Sequence, residues 1–406
     1  MTPRDSDAVD GYRTWHVANF AIGGTRVRVA TKPGVPAHGR VDTASVMLAE
    51  FLVADAQSDV GHTLHLNTGN GLVAAAASVA HPTRRVWCAD RWRSSAQATQ
   101  RTLEATQHEH PIAGFTVTNG HGTAGATLLV DLATIRVPPE KAATQQLAWD
   151  AFHALRPGGR CILAGANDEG VKPAQRMLET LFGAAIVETQ HSGHRMVVAT
   201  KRTEAPVSLA GFVPERLLPD VFHALAVSVA GEELQLFTRP GVFSWSHLDE
   251  ATALLSEQMS IPAGASVLDL GCGAGVLGLL AATRSDAGRV LLLDADAEAV
   301  RCTQRALDVR GVPNAEARCS DVSEAAADER FDVVVTNPPF HLAKFTDLTI
   351  PRQFIREAWE RLTPKGTLQL VANRTLPYES VIAEHFGHVR TVHDGRRFKV
   401  LAATRG

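Results

Sequence analysis

The sequence is poor in cysteine and in long apolar runs. Its five cysteines are widely separated and none lies in a Cys-x-x-Cys pair, so we expect neither a disulfide framework nor a thiolate metal site. The longest apolar stretches, residues 71–80 and 276–282, are too short to span a bilayer, and the first ten residues are polar and acidic. These features predict a cytoplasmic protein with no membrane partner.

Strong compositional bias is absent as well. Of the 406 residues, 45% are hydrophobic and 20% are charged, which is typical of globular chains and excludes disordered and fibrous classes. A chain of this length predicts two or three folding units. The formal net charge of −3 divides into +3 for residues 1–203 and −6 for residues 204–406. The first half is the better candidate for contact with a polyanion, although ordinary surface variation explains the difference equally well.

The second half of the chain repeats the first at a nearly constant spacing. Residues 31–35 (Thr-Lys-Pro-Gly-Val) resemble residues 238–242 (Thr-Arg-Pro-Gly-Val), 207 positions later. In the next block the spacing is 204, and the paired positions are Gly69 with Gly273, Gly71 with Gly275, and Asp90 with Asp294. So long a period indicates two related domains rather than a solenoid.

Both repeats alternate short apolar runs with helical patterns. In the second repeat, strands are predicted over residues 266–270, 289–293 and 331–336, and helices over 275–283, 297–310 and 353–362. This alternation predicts an α/β fold with a mostly parallel sheet covered on both faces. Proline and glycine residues between 201 and 214 predict the boundary, which gives domains 1–205 and 206–406.

A glycine-rich turn follows the first predicted strand of the second repeat. Asp269-Leu270-Gly271-Cys272-Gly273-Ala274-Gly275 lies where a doubly wound sheet offers backbone N–H groups and a helix N-terminus to a ligand. Val276 stands where the dinucleotide fingerprint needs a third glycine, and Asp269 is an acidic strand end. The turn therefore favours S-adenosylmethionine over a nicotinamide dinucleotide, with a purely structural turn as the alternative.

Two acids downstream strengthen this interpretation. Asp294 ends the second predicted strand, where a carboxylate can accept hydrogen bonds from both ribose hydroxyls; a helix N-cap is the alternative role. Asp321 follows a third short segment and can accept a hydrogen bond from an adenine amino group, with Val322 beside the ring. The alternative for Asp321 is a solvent-exposed loop residue.

The most specific feature is Asn337-Pro338-Pro339-Phe340, directly after an apolar strand. The lone pair of an exocyclic amino nitrogen is delocalised into its base. Two acceptors, the Asn337 side-chain carbonyl and the Pro338 backbone carbonyl, can hold the two amino hydrogens. Phe340 offers a face on which a flipped base can stack. The element predicts methyl transfer to an amino group, and a structural double-proline turn is the alternative.

These motifs together resemble a known family. The second repeat is similar to class I S-adenosylmethionine-dependent methyltransferases of the small-domain group, and within them to the ribosomal RNA guanine-N2 methyltransferases. The matching segments are 241–244 (Gly-Val-Phe-Ser), 248–249 (Leu-Asp), the glycine loop, 337–341 (Asn-Pro-Pro-Phe-His), 371–373 (Val-Ala-Asn) with Leu376 and Tyr378, and 397–400 (Arg-Phe-Lys-Val). Those enzymes are tandem duplications whose first domain has lost catalytic residues.

The resemblance implies two tandem Rossmann-like class I methyltransferase domains, the first degenerate. It implies methyl transfer from S-adenosylmethionine to the 2-amino group of a guanine in ribosomal RNA, free or in a ribosomal subunit. The residues it assigns to the cofactor are Phe243, Asp269, Gly271, Gly273, Gly275, Asp294, Asp321 and Val322, and those it assigns to guanine are Asn337, Pro338 and Phe340. It does not imply an oligomer, and it leaves the oligomeric state open.

Three alternatives remain open from the residues. Adenine-N6 and glutamine-amide methyltransferases share related forms of the Asn-Pro-Pro-Phe element, and a non-catalytic RNA-binding assembly factor can keep the same fold. An intact Asn337 and a complete glycine loop disfavour the last of these. Two departures from the family pattern, Glu250 before Ala251 and the segment 342–345, affect the substrate details rather than the cofactor.

The first repeat has lost several of these residues. His65 replaces Asp269, Asn67 replaces Gly271, and the region near Asp131 is predicted to replace the Asn-Pro-Pro-Phe element. We therefore expect a kept fold without transfer chemistry. Arg91, Trp92 and Arg93 mix cations with an aromatic ring, which is typical either of RNA contact or of an abandoned cleft that has been filled. The cluster His108-Glu109-His110 lacks ligand spacing, so no metal is expected.

Overall fold

The computed structural model describes residues 11–55, 60–121, 129–202, 214–284, 288–339 and 348–406. The chain divides into two compact units. The first comprises residues 13–221, and the second comprises residues 222–406 together with the described residues before Arg13. The boundary predicted after residue 205 falls within 203–213, outside the described residues.

The first unit contains nine strands and five helices among its described residues. Its strands are β1 His16–Ile22, β2 Thr25–Thr31, β3 His62–Leu66, β4 Arg85–Asp90, β5 Phe115–Asn119, β6 Val130–Arg136, β7 Leu155–Ala166, β8 Ile186–His191 and β9 His194–Thr200. Its helices are α1 Thr43–Ala54, α2 Leu72–Ala80, α3 Arg93–Glu109, α4 Lys141–Ala154 and α5 Val171–Phe182. A 3₁₀ turn, Pro214–Arg216, follows.

The second unit repeats this order. Its strands are β10 His223–Val229, β11 Glu232–Thr238, β12 Val267–Leu270, β13 Val290–Asp294, β14 Ala315–Cys319, β15 Phe331–Thr336, β16 Leu362–Asn373, β17 Val389–Asp394 and β18 Phe398–Thr404. Its helices are α6 Glu250–Gln258, α7 Val276–Arg284, α8 Ala297–Arg310, α9 Thr349–Arg361 and α10 Tyr378–Phe386. The strand 331–336 and the helix 297–310 have the predicted bounds, whereas α9 begins four residues before the predicted 353.

Each unit is built on a seven-stranded sheet, and the two sheets have the same topology. The strand orders are β5-β4-β3-β6-β7-β9-β8 and β14-β13-β12-β15-β16-β18-β17. The first five strands are parallel, and the last two pair antiparallel at one edge. An antiparallel hairpin, β1–β2 or β10–β11, lies outside each sheet. The predicted α/β fold with two related domains is confirmed.

The central strands are buried on both faces, as expected for parallel strands that lie between two layers of helices. Every residue of β12 is buried, and β13 is buried up to Asp294 at its end. In the sheet, β13 and β14 lie on one side of β12, and β15 and β16 lie on the other. The connections that follow β12 and β15 therefore run in opposite directions along the sheet. A doubly wound sheet forms its ligand crevice at this point, outside the carboxyl ends of the strands.

The described parts of the chain contain no membrane-spanning helix, no cluster of three metal ligands and no disulfide. No helix there is long and apolar enough to cross a membrane. No group of three metal-ligating side chains occurs there. The cysteines are free thiols, four of them buried and Cys319 partly so. Glu109, in the cluster considered above as a ligand site, pairs instead with Arg28 at 2.7 Å.

Candidate active site

The glycine loop of the second unit connects β12 to α7 through left-handed backbone. Gly271, Gly273 and Gly275 have φ angles of 80°, 55° and 85°. A Cβ on Gly275 would lie 2.9 Å from the Thr303 side chain of α8, and one on Gly271 would lie 3.1 Å from Phe354. Glycine is therefore needed at these positions both for the conformation and for the close approach of neighbouring helices. The N–H groups of Gly271 and Cys272 both donate to the carbonyl of Leu293, which ties the loop to the end of β13.

Asp269, in β12, is buried beneath this loop and is not exposed at the crevice. Its carboxylate is fully buried, and Oδ2 accepts a hydrogen bond from the backbone N–H of Gly278 at 2.8 Å. Oδ1 is buried and has no hydrogen-bond partner among the described residues. Burial, reinforced by the charge of Asp294, raises the pKa of Asp269 to about 7. Asp269 thus fastens the start of α7 to β12, and its contact with a cofactor stays a prediction.

Asp294 bridges the loop and the end of β13. Its Oδ2 accepts from the N–H of Gly273 at 2.8 Å, and its Oδ1 accepts from the N–H of Asp296 at 2.9 Å. The N-cap of α8 is Asp296, whose side chain accepts from Glu298, so the helix-cap interpretation of Asp294 is wrong. Asp294 is therefore a half-buried carboxylate that lies beside the glycine loop.

Asp321 is close to the same edge of the sheet. It is only 2% exposed, so the alternative of a solvent-exposed loop residue is wrong. The N–H of Ser320 donates to the backbone carbonyl of Asp294 at 2.8 Å, which joins the two loops. Tyr12 donates its hydroxyl to Oδ1 of Asp321 at 2.8 Å. Val322 has a φ of 51°, a strained conformation for a β-branched residue and one that occurs mainly at functional sites.

Two hydrogen bonds fix the orientation of the Asn337 side chain. Its Nδ2 donates to Oδ2 of Asp249 and to Oγ1 of Thr252, both at 3.0 Å. Both nitrogen hydrogens are then used, and the Oδ1 carbonyl is buried without a hydrogen-bond partner among the described residues. Asp249 is itself fixed, because it is the N-cap of α6 and accepts from the N–H of Thr252 at 2.8 Å. The result is an oriented carbonyl oxygen that accepts no hydrogen bond from the described part of the chain.

The remaining predicted site residues are placed unequally. Pro338 is buried and Pro339 exposed. Phe243 is 57% exposed, which is unusual for a phenylalanine and leaves its ring available for contact. Phe340 lies outside the described residues. Asp249 is part of the family resemblance but received no role from it, and Thr252 belongs to none of the motifs. The pattern Asp-x-x-Thr indicates an N-cap, but nothing in the sequence connects it to residue 337.

The strand register of the first unit corrects the predicted equivalent of Asn337. His65 pairs with Thr134 across β3 and β6, as Asp269 pairs with Val335 across β12 and β15. Two residues further on, the counterpart of Asn337 is therefore Arg136, and the prediction that the region near Asp131 replaces it is wrong. Asp131 lies at the other end of β6, where it accepts from the N–H of Gly61 at 2.6 Å.

Arg136 fills the position of the acceptor with a cation. Its guanidinium pairs with Asp42 at 3.0 Å and with Glu169 at 3.0 Å, and it donates to the backbone carbonyl of Val137 at 2.6 Å. Asp42 is the N-cap of α1 and the counterpart of Asp249. The first unit therefore keeps the acidic cap but has a donor where the second unit has a carbonyl acceptor.

The rest of the first-unit loop keeps its shape. Asn67 adopts the left-handed conformation that Gly271 has, with a φ of 57°, and its side chain donates to the carbonyl of Arg136. Asp90 accepts from Gly69 and from Trp92, both at 3.0 Å, and burial raises its pKa to about 6. His65 is buried, which lowers its pKa to about 3, so this ring is neutral.

The aromatic and cationic cluster follows the end of β4. Trp92 is 41% exposed, and the guanidinium of Arg91 lies 5.6 Å from its ring centroid. This arrangement leaves an aromatic face and a cation together at the surface of the first unit, so the cleft-filling alternative does not apply to Trp92. Arg93, the first residue of α3, is only partly exposed.

Comparison with known proteins gives one consistent result. Residues 26–198 and 233–402 each match the model of the methyltransferase small domain, so one match falls within each unit. Ribosomal RNA small subunit methyltransferase C of Pseudomonas aeruginosa (strain UCBPP-PA14) is 34% identical over 277 residues, 67% of this chain and 79% of that protein. The protein of the same name from Alteromonas mediterranea is 34% identical over 275 residues, 66% and 72% of the two chains.

A solved structure matches almost the whole chain. It is the T. thermophilus 16S rRNA N2 G1207 methyltransferase in complex with AdoMet and guanosine. The two chains superpose with a TM-score of 0.78 at 27% identity, over 98% of this chain and 99% of the other. The similarity therefore extends through both units and is not limited to the catalytic-type domain.

Proposed function

The chain belongs to the methyltransferase small-domain family, and from this membership we propose that it transfers a methyl group from S-adenosylmethionine to the 2-amino group of a guanine in ribosomal RNA. Relatives at 34% identity are named as small-subunit ribosomal RNA methyltransferases. The structural relative that covers both units acts on N2 of a guanine and was solved with AdoMet and guanosine. We place this activity in the second unit.

The observation that carries this assignment is the oriented carbonyl of Asn337. An aromatic amino group has two hydrogens to donate, and its nitrogen is a weak nucleophile because the lone pair is delocalised into the ring. Asp249 and Thr252 hold the nitrogen end of the Asn337 amide, so its oxygen is the end that can accept one amino hydrogen. We assign the backbone carbonyl of Pro338 as the acceptor for the other hydrogen, in a loop whose φ angle at this residue is fixed by the proline ring.

The fit to the cofactor rests on the crevice beside the glycine loop. S-adenosylmethionine supplies an electrophilic methyl group on its sulfonium. We assign the backbone of residues 271–275 to the methionine part, Asp294 to the ribose hydroxyls, and Asp321 with Val322 to the adenine. Two features suit a ligand: the left-handed backbone of the glycine loop and the strained backbone of Val322. Phe243 is assigned to the open side of this crevice.

Positioning is the main contribution of these residues. Two acceptors on the amino hydrogens orient the nitrogen lone pair, and a fixed geometry of this kind can lower a barrier substantially without a strong base. The proton is acidified once the nitrogen is alkylated, so water can take it afterwards. No titratable side chain needs to lie at the nitrogen, and we assign none.

The two units divide the work. The first unit has Arg136 where an acceptor is required, so we assign it no methyl transfer and no cofactor. Its net positive charge and the Arg91–Trp92 pair suit contact with the phosphates and bases of RNA. The proposed partner is ribosomal RNA or a ribosomal subunit in the cytoplasm, with no metal and no membrane involved.

An assay with purified components tests the activity. The full chain is incubated with methyl-labelled S-adenosylmethionine and either 16S ribosomal RNA or assembled small subunits, and the product nucleosides are separated. We expect N2-methylguanosine from the wild type, and about 100-fold slower transfer by Asn337→Ala with similar cofactor affinity. Asn314→Ala, which removes an asparagine that binds a loop carbonyl in the same unit, is the control. Label in N6-methyladenosine, or full activity of Asn337→Ala, would contradict the proposal.

A further inference from the structure

Tyr12 belongs to the second unit, although 309 residues separate it from its partner there. It is 3% exposed and is part of the apolar cluster that contains Leu268, Leu291 and Val322. Its hydroxyl donates to Oδ1 of Asp321 at 2.8 Å, a buried hydrogen bond to a carboxylate. Tyr12 thus reaches the edge of the sheet at which the cofactor is proposed to bind.

We propose that Tyr12 is a positioning residue for the cofactor, which holds the Asp321 carboxylate in the orientation that recognises the 6-amino group of adenine. This inference rests on the proposed function. A carboxylate offers four acceptor directions. A donor on one oxygen fixes the rotation of the group about its Cβ–Cγ bond, and so fixes the directions in which it accepts further hydrogen bonds.

Hydrogen bonds hold the chain on both sides of Asp321. The N–H of Ser320 donates to the carbonyl of Asp294 at 2.8 Å. On the other side, Glu357 accepts from the N–H of Ser323 at 2.7 Å and from its hydroxyl at 2.6 Å. The hydrogen bond from Tyr12 adds a contact to the Asp321 side chain within this ordered segment, residues 320–323.

The chain supplies its own control, because it has only two tyrosines. Tyr378 is also fully buried in the second unit and in the same apolar cluster, but its hydroxyl has no hydrogen-bond partner among the described residues. Tyr12→Phe and Tyr378→Phe each remove one buried hydroxyl with little change in shape. Only the first removes a donor to Asp321.

The test uses two ligands that differ at the 6-position of the base. S-adenosylhomocysteine has the 6-amino group, and S-inosylhomocysteine has an oxygen there. Binding of both to the full-length wild type and to the two variants is measured by calorimetry. We expect Tyr12→Phe to bind S-adenosylhomocysteine about tenfold more weakly, because the Asp321 carboxylate loses the donor that orients it. Its affinity for S-inosylhomocysteine should change by less than about twofold, and Tyr378→Phe should change neither.

The other outcomes are also informative. Unchanged affinity of Tyr12→Phe for S-adenosylhomocysteine would overturn the inference. An equal loss of affinity for both ligands would overturn it too, because a merely structural role of Tyr12 predicts that result. A double variant with Asp321→Asn provides a further test: removal of the Tyr12 hydroxyl should then have little additional effect, and fully additive losses would overturn the inference as well. A wild type that binds neither ligand would instead contradict the proposed function.

Discussion

The side-chain nitrogen of Asn337 is held 3.0 Å from the carboxylate of Asp249, the residue that caps helix α6. One carboxylate thereby orders the start of a helix and orients the amide that we assign to the substrate amino group. The first unit keeps the same capping acid, Asp42, but directs it to Arg136. This single exchange separates a unit with a carbonyl acceptor from one without.

Replacement of Asp249 by alanine is expected to slow methyl transfer by at least about tenfold without a comparable loss of cofactor affinity. Without its acceptor the Asn337 amide can rotate, and a hydrogen bond to a charged group contributes about 1.5–3 kcal/mol. Loss of the helix cap should cost a further ~1 kcal/mol of unfolding free energy. Turnover, calorimetric binding and urea unfolding are the measurements. The matched variant Asp42→Ala loses a cap and the ion pair with Arg136 in the first unit, so it should lose stability but retain turnover. Equal turnover of both variants would refute the role of Asp249.

Asp294 and Asp90 form a second matched pair. Each carboxylate accepts from a glycine-loop N–H and from a backbone N–H two residues after itself. We expect Asp294→Ala to weaken S-adenosylmethionine binding by about tenfold or more, because it loses the acceptor for the ribose hydroxyls. Asp90→Ala should leave both affinity and the stoichiometry of one cofactor per chain unchanged. Calorimetry that finds two cofactors per chain would disprove the division of labour.

The Arg136 cluster predicts a pH-dependent stability. Burial alone would raise the pKa of Asp42, but hydrogen bonds and charge from Arg136 outweigh it and lower that pKa. The stabilisation by this pair is therefore complete above the unfolded-state pKa of about 3.9 and is lost as the pH falls toward the folded value. The pair is only partly buried, so Arg136→Met should cost about 2 kcal/mol near neutral pH, as for hydrogen bonds to charged groups, and less below about pH 4.

Urea unfolding of the wild type and Arg136→Met at several pH values tests this expectation. Arg28→Met is the control, because Arg28 pairs with Glu109 at the surface, where both side chains are more than a third exposed. That substitution should cost less than about 1 kcal/mol at any pH. A cost for Arg136→Met that does not decrease in acid would show that the ion pair with Asp42 is not its source.

RNA binding is expected to depend on the cluster at the end of β4. Substitution of both Arg91 and Arg93 by alanine should weaken binding to ribosomal RNA and lower its salt dependence, since fewer counterions are released. Cofactor affinity should not change. Lys172→Ala with Arg176→Ala removes the same charge from the exposed side of α5 and serves as the control. Equal losses in the two double variants would indicate a general charge effect rather than a specific contact.

The fold and the second-unit loop could be predicted because their signals are local. Apolar runs and helical patterns define β15 and α8, and the glycine turn between β12 and α7 needs only neighbouring residues. The counterpart of Asn337 could not be found in this way. Asn337 and Arg136 are 201 positions apart, whereas the spacing at the glycine loop is 204, and only the pairing of β3 with β6 reveals the change.

The contacts that complete the site are long-range and left no pattern in the sequence. Tyr12 and Asp321 are 309 residues apart, and Asn337 and Asp249 are 88 apart. Hydrogen bonds of this kind depend on how a helix or a terminal segment packs on the sheet, which periodicity does not describe. They explain why the sequence indicated the type of chemistry but not the residues that orient its acceptor.

The most direct test of the central claim is nucleoside mass spectrometry of ribosomal RNA from cells that lack this protein. The account predicts that N2-methylguanosine decreases in small-subunit RNA, returns when the wild-type chain is supplied, and does not return with Asn337→Ala. Unchanged N2-methylguanosine, a loss of N6-methyladenosine instead, or full restoration by Asn337→Ala would contradict it.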